Sequence, residues 1–215
     1  GYEYVRVETG GQKVNEAYYH NRSFLLNGEL KESLLTDSDG NKYIRQIHGS
    51  RYTNMVTGSE TGGDSICDDA NAFVSKDGYW TEYYEAEETP QITTRYDIHY
   101  DRYHNIIEYV DEGDITVPGD DWRQIVTYLP NTANNMISLP KTEKVYDRSG
   151  QLLRSSSVSY SPWGQPAHIR MEDSLQNLTA VTHVKYDAFG NVTALISPEN
   201  VNNERSWSSF AYDSL

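Results

Sequence analysis

Along much of the chain, apolar and polar side chains exchange places at every second residue. Ala180, Thr182, Val184 and Tyr186 alternate with Val181, His183 and Lys185, and Val192, Ala194 and Ile196 alternate with Thr193 and Leu195. A period of two is that of a β-strand. The pattern predicts further strands over 3–9, 13–21, 23–26, 29–36, 42–51, 72–88, 91–100, 105–110, 122–129, 141–146, 152–160 and 167–171. Asn27-Gly28 reads as a type I′ hairpin turn, and Asp77-Gly78 reads as a turn within 72–88. Residues 57–71 read as a loop, 111–121 as an acidic insertion, and 173–177 as a short helical turn or a loop. No stretch carries a convincing helical period.

The segments between strands share one chemistry. Tyr186-Asp187-Ala188-Phe189-Gly190-Asn191 places an aspartate where its carboxylate can hold a type I turn, and a glycine where the chain needs a positive φ. That is a hairpin with a bulge. The unit returns as Tyr146-Asp147-Arg148-Ser149-Gly150 and as Tyr160-Ser161-Pro162-Trp163-Gly164. A looser copy, Tyr100-Asp101-Arg102-Tyr103-His104, has His104 in the glycine position. Asp37-Ser38-Asp39-Gly40-Asn41 is an earlier relative, and another copy begins at Tyr212-Asp213. The leading tyrosines 160, 186 and 212 are evenly stepped and the others are not, so the array is irregular.

These residues resemble the YD repeats of the Rhs/YD-repeat superfamily, whose core reads Tyr-Asp-x-x-Gly-Asn/Arg-hydrophobic. The copy from Tyr186 through Asp187, Gly190 and Asn191 matches at every defined position, and the resemblance runs from about residue 96 to the end. It implies a shell of the kind found in toxin-complex B components and bacterial polymorphic toxins, where such repeats wind a long sheet around a toxic C-terminal segment. What carries over is structural: Tyr100, Asp101, His104, Tyr146, Asp147, Gly150, Tyr160, Ser161, Gly164, Tyr186, Asp187, Gly190 and Asn191. The self-cleaving aspartate site of that family finds no matching motif. A bacterial secreted or cell-surface location is implied in the same way.

Composition narrows the alternatives. Leu, Ile, Val and Phe total 43 of 215 residues, too few for a thick core, but 18 Tyr and 4 Trp supply large strand-favouring side chains with a polar end. The net charge is -14, and all of it falls between Glu60 and Asp121, which hold 17 acids and 3 bases. A nucleic-acid partner is disfavoured, because no basic patch is available for phosphate. No run of 18 apolar residues exists to span a membrane. The opening at Gly1 shows no secretory leader, and the sequence reads as a piece of a longer polypeptide.

Catalytic and metal chemistry finds little support. Asp37-Ser38-Asp39-Gly40-Asn41 alternates oxygen ligands but lacks the twelfth-position Glu of an EF-hand. Asp111, Glu112, Asp114, Asp120 and Asp121 are a denser cation trap, for which a solvated loop is the plainer reading. The six histidines show no His-x-His spacing, Cys67 sits among acids that suppress its thiolate, and no Gly-x-Ser-x-Gly elbow occurs. The expectation is therefore an all-β fold of consecutive antiparallel hairpins in a twisted, curling sheet, with a leading region over 1–95 and the repeat region over 96–215. No catalytic, metal or cofactor residue is assigned.

The expected role is a wall segment of a toxin-enclosing shell, with the rest of the same polypeptide and an enclosed toxin segment as partners. A surface glycan- or protein-binding module using Trp80, Trp122, Trp163 and Trp207 is the alternative. A glycoside hydrolase built on two carboxylates comes third.

Overall fold

The computed structural model describes residues 2–21, 24–62 and 71–213. It is all-β: the described residues hold fifteen strands, and their one helical piece is a 3-10 turn at Thr132–Asn134. The chain forms two compact units, Gly1–Trp122 and Arg123–Leu215. The boundary at 95/96 marks something different, the point where the turn motif begins in the sequence.

The first unit holds β1 (Tyr4–Thr9), β2 (Lys13–Tyr19), β3 (Leu30–Asp37), β4 (Lys42–Asn54), β5 (Glu60–Gly62), β6 (Ala72–Tyr83), β7 (Ile92–Tyr100) and β8 (Ile106–Asp114). Its strands pair antiparallel in the order β1-β2-β3-β4-β6-β7-β8, with β5 paired to β4 alongside. β9 (Trp122–Tyr128) starts at the unit boundary. In the second unit β10 (Pro140–Asp147), β11 (Leu152–Tyr160), β12 (Pro166–Asp173), β13 (Leu178–Tyr186), β14 (Val192–Ile196) and β15 (Trp207–Ser209) pair antiparallel in sequence order. Consecutive antiparallel hairpins are thus the organising device of both units.

Several local expectations are corrected. Residues 24–28 form turns and not a strand, and Gly28 has φ 85° while Asn27 does not enter the left-handed region, so no type I′ hairpin forms there. Leu26 is fully buried, so this loop tucks one leucine inward while Phe24 stays exposed. Ser23 lies outside the described residues. Asp77-Gly78 is not a turn: β6 runs straight through it, and the register shift opposite Gly49/Ser50 leaves Asp77 as the extra residue of a bulge. Asp111–Asp114 extends β8 and does not loop out, because its backbone pairs with β7 as far as Thr94↔Asp114. The predicted loop 57–71 contains β5, and its residues 63–70, Cys67 included, lie outside the described residues. Residues 174–177 form a turn, with Asn177 at φ 53°.

Burial is thin, as the composition dictates. Val14, Leu26, Tyr52, Tyr84, Val145 and Ala194 are the buried apolar side chains among the described residues. Cross-strand aromatic contact supplements them in the first unit. His48, Tyr79, Tyr96, Tyr109 and Trp122 form a ladder with centroid separations of 4.7, 5.2, 5.4 and 5.2 Å. Trp80, next to Tyr79 in sequence, faces the other way. Its indole lies across the paired glycines Gly49 and Gly78, 3.3 and 3.2 Å from where a Cβ would sit on each. The Arg95 guanidinium stands 5.2 Å from the Trp80 ring.

Candidate functional site

The repeated turn is the feature that the structure builds most consistently. In the unit at Asp187, the Gly190 amide donates to the Asp187 carbonyl at 3.2 Å and the Asp187 amide donates to the Asn191 carbonyl at 3.0 Å. Asp187 Oδ1 accepts from the amides of Phe189 and Asn191, each at 2.9 Å, while Oδ2 accepts from Asn191 Nδ2 at 3.0 Å. Gly190 takes φ 90°. One carboxylate therefore satisfies three donors that the bend would otherwise expose unpaired.

The other copies repeat this geometry with their own residues. Asp37 holds the amides of Asp39 and Asn41 at 2.9 Å each, and Asn41 Nδ2 at 2.8 Å. Asp101 holds those of Tyr103 and Asn105 at 2.8 and 2.9 Å, with Asn105 Nδ2 at 3.0 Å. His104 accepts the left-handed conformation there at φ 61°. Asp147 takes the Gln151 amide at 2.8 Å and the Ser149 hydroxyl at 2.7 Å, and Gly150 has φ 83°. Ser161 Oγ does the same work more weakly, at 3.2 and 3.3 Å from the amides of Trp163 and Gln165, with Gly164 at φ 79°.

A further copy is not apparent from the sequence motif. Asn200 accepts from the amides of Asn202 and Glu204 at 2.9 and 3.0 Å, and Asn203 stands at φ 61° in place of glycine. Asn in both defining positions hides it; a pattern allowing Asp, Ser or Asn first and Gly, His or Asn fourth finds it.

The tyrosines that lead the turns act on the neighbouring strand. Tyr160 OH donates to the Pro140 carbonyl at 2.6 Å, Tyr186 OH to that of Pro166 at 2.9 Å, and Tyr212 OH to that of Val192 at 3.0 Å. Each acceptor is the first residue of its strand, β10, β12 or β14, and lies 20 residues before its tyrosine. Tyr100 OH reaches the Lys76 carbonyl at 2.8 Å, 24 residues back. Desolvation pushes the Tyr160 phenol above its ordinary value, and the Tyr100 phenol likewise with added repulsion from Asp77 and Tyr96, so both remain donors. Tyr146 differs: the Arg123 guanidinium stands 5.2 Å from its ring. A register shift sits just inside the turns at Tyr100, Tyr146, Tyr160 and Tyr186, which adds twist at each bend.

Other candidate chemistry is arranged differently. A cleft of about 440 Å³ in the first unit gathers Arg51, Glu60, Asp77, Tyr100, Asp101 and Glu108. Arg51 draws Glu60 to 2.6 Å and Asp77 to 3.1 Å, so those two carboxylates bind a cation of the protein itself. The acidic residues at 111–121 cap their own backbone: Asp111 accepts from Gly113, Asp114 from Thr116, and Asp120 from the Asp114 amide at 2.9 Å. No group of three metal-ligating side chains occurs among the described residues. The histidines are not all apart, as the sequence spacing suggested. His168 and His183 face each other across β12 and β13 with their Nδ1 atoms 2.6 Å apart, a pairing that only strand register could reveal. Trp80 and Trp122 occupy opposite faces in the first unit; in the second, Trp163 lies in the turn opened by Ser161 and Trp207 in β15.

No family model and no curated protein matches the chain. Among solved structures it is similar to the crystal structure of TcdB2-TccC3-Cdc42, at 12% identity and TM-score 0.31, over 97% of this chain and 12% of that one. A Tc holotoxin pore from Photorhabdus luminescens gives 12% identity and TM-score 0.27 over 94% of this chain and 11% of that one. A porin-like protein from Bacteroides uniformis gives 12% identity and TM-score 0.31, over 96% of this chain and 91% of that one. The chain thus spans about an eighth of the toxin-complex chains. At such identity and TM-score these matches transfer no residue and no activity.

Proposed function

We propose that this chain is a structural wall segment of an Rhs/YD-repeat shell that encloses or delivers a toxin. The observation that carries the reading is the repeated stitch, in which the hydroxyls of Tyr160, Tyr186 and Tyr212 each tie their segment to the strand before it, while an Asp, Ser or Asn side chain fixes the described bends. Such a unit can be added without limit in the direction of pairing, because each copy needs only its predecessor. That suits a wall, and the role requires no catalytic group. The partners are the remainder of the same polypeptide and an enclosed C-terminal toxin segment, and the location is secreted or at the bacterial surface.

Protease protection tests the reading. In the native polypeptide that carries this segment, sequence C-terminal to the turn array should resist protease until denaturant opens the wall. Digestion of that sequence in the native state as fast as in isolation contradicts enclosure. A second reading, a surface module that binds glycan, is favoured by the exposure of Trp163.

A further inference from the structure

Two aromatic side chains occupy the same place in successive turns. Trp163 is the third residue of the turn opened by Ser161, and Phe189 is the third of that opened by Asp187. They are 82% and 92% exposed, and neither ring packs against another among the described residues. Between them lies a cleft of about 340 Å³ lined also by Gln165, Asp187, Ala188 and Gly190. Gln165 Nε2 donates to the Gly190 carbonyl at 3.0 Å, tying one turn to the next and fixing the floor of the cleft. Turns on one edge of an antiparallel meander stand two strands apart, about 9.5 Å. Two aromatic faces in contact with a ring between them need about 7–8 Å.

We propose that this slot takes a neutral hexopyranose unit of a glycan. A pyranose offers C–H faces to the negative faces of two aromatic rings and a rim of hydroxyl donors to the floor. The floor offers an acceptor: the Asp187 carboxylate is held in place by three donors of its own turn and keeps one acceptor site, on Oδ2, to spare. A purely apolar group would cover that carboxylate and offer nothing to its remaining acceptor site. An anionic sugar or a nucleotide meets the Asp187 carboxylate, and no cationic side chain lines the cleft to offset it. The slot depends on the local geometry of the two turns and not on the wall reading, so either can fail without the other.

The test is a titration of the 215-residue chain with maltohexaose, cellohexaose and hexa-N-acetylchitohexaose, followed by amide and indole NMR shifts. At least one sugar should shift the Trp163 indole and the Phe189 amide saturably. Trp163→Ala and Phe189→Ala should each weaken binding by about tenfold, the loss of one aromatic face. Both side chains are exposed, so an unchanged circular dichroism spectrum is expected of either variant. Trp207→Ala, also exposed, should leave the affinity as it was. No shift with any of the three sugars overturns the proposal, as does equal weakening by Trp207→Ala. Saturable binding of N-acetyltryptophanamide with none of the sugars overturns it too, by making the slot a site for apolar groups.

Discussion

Aspartate opens these turns because its side chain is short enough to fold back on the backbone that follows it. Asp187 reaches the amides of Phe189 and Asn191 with one oxygen and the Asn191 side chain with the other. The Asn191 side chain holds the Asp187 carboxyl below its ordinary range, with the backbone amides adding to it; Asn41 does the same to Asp37, and the Ser149 hydroxyl to Asp147. A carboxyl depressed in the folded state contributes stability that is full above the unfolded value of about 3.9 and is lost as the pH falls through the folded value. Asp187→Asn should therefore keep the turn, as Asn200 does, while removing the acid-induced shift of the Asn191 amide. A shift that persists in the variant contradicts the assignment. Glycine is separable from this effect. Gly150→Val should cost about 1–2 kcal/mol in urea unfolding, from backbone strain alone, since no atom lies within 4 Å of the added Cβ. Gly150→Asn should cost less, because asparagine tolerates φ > 0. Equal losses would count against strain as the cause. These positions were legible in the sequence because an aspartate followed three residues later by a glycine, between two alternating runs, matches the demands of a turn at both ends. The Asn200 turn was not, because asparagine also suits many loops.

At the scale of the strand pair, the hydroxyl stitch makes the tyrosine more than a large strand residue. Tyr160→Phe and Tyr186→Phe each remove one hydrogen bond and should destabilise their hairpins by about 0.5–1.5 kcal/mol. Tyr146→Phe serves as the comparison, since Tyr146 meets Arg123 through its ring. Faster amide exchange in β10–β13 for the first two variants and not the third is the expected pattern; exchange unchanged in all three contradicts the stitch.

The β12–β13 pair carries a second dependence. Desolvation, then His168, Arg205 and Lys185, hold His183 below its ordinary value. A histidine depressed in this way contributes stability that is present above the unfolded value of about 6.5 and lost as the pH falls through the folded one. Amides of β12 and β13 should exchange faster, relative to the rest of the second unit, in mild acid than at neutral pH, and His168→Gln should reduce that difference. Alternation predicted most of these strands. It failed at Asp77-Gly78 and Asp111–Asp114, where turn-like residues are carried inside paired backbone, and at 24–28, where an apolar run forms turns and buries only Leu26.

Across the whole molecule, scarce aliphatic residues mean that hydrogen-bonded backbone and tyrosine contacts replace a thick core. This composition was plain in the sequence, whereas the neighbour of each tyrosine depended on register, which follows from the type and length of every intervening turn and not from the Tyr-Asp motif alone. Both units are antiparallel meanders, with β5 alone off the path, and the proposed wall role builds on that. Cryo-electron microscopy of the full polypeptide that carries this segment tests that role most directly. The wall reading predicts a closed shell in which these residues form consecutive hairpins of the wall, with the Tyr160, Tyr186 and Tyr212 hydroxyls against the carbonyls of Pro140, Pro166 and Val192. A map showing this segment as a free-standing domain outside any enclosed volume would contradict it.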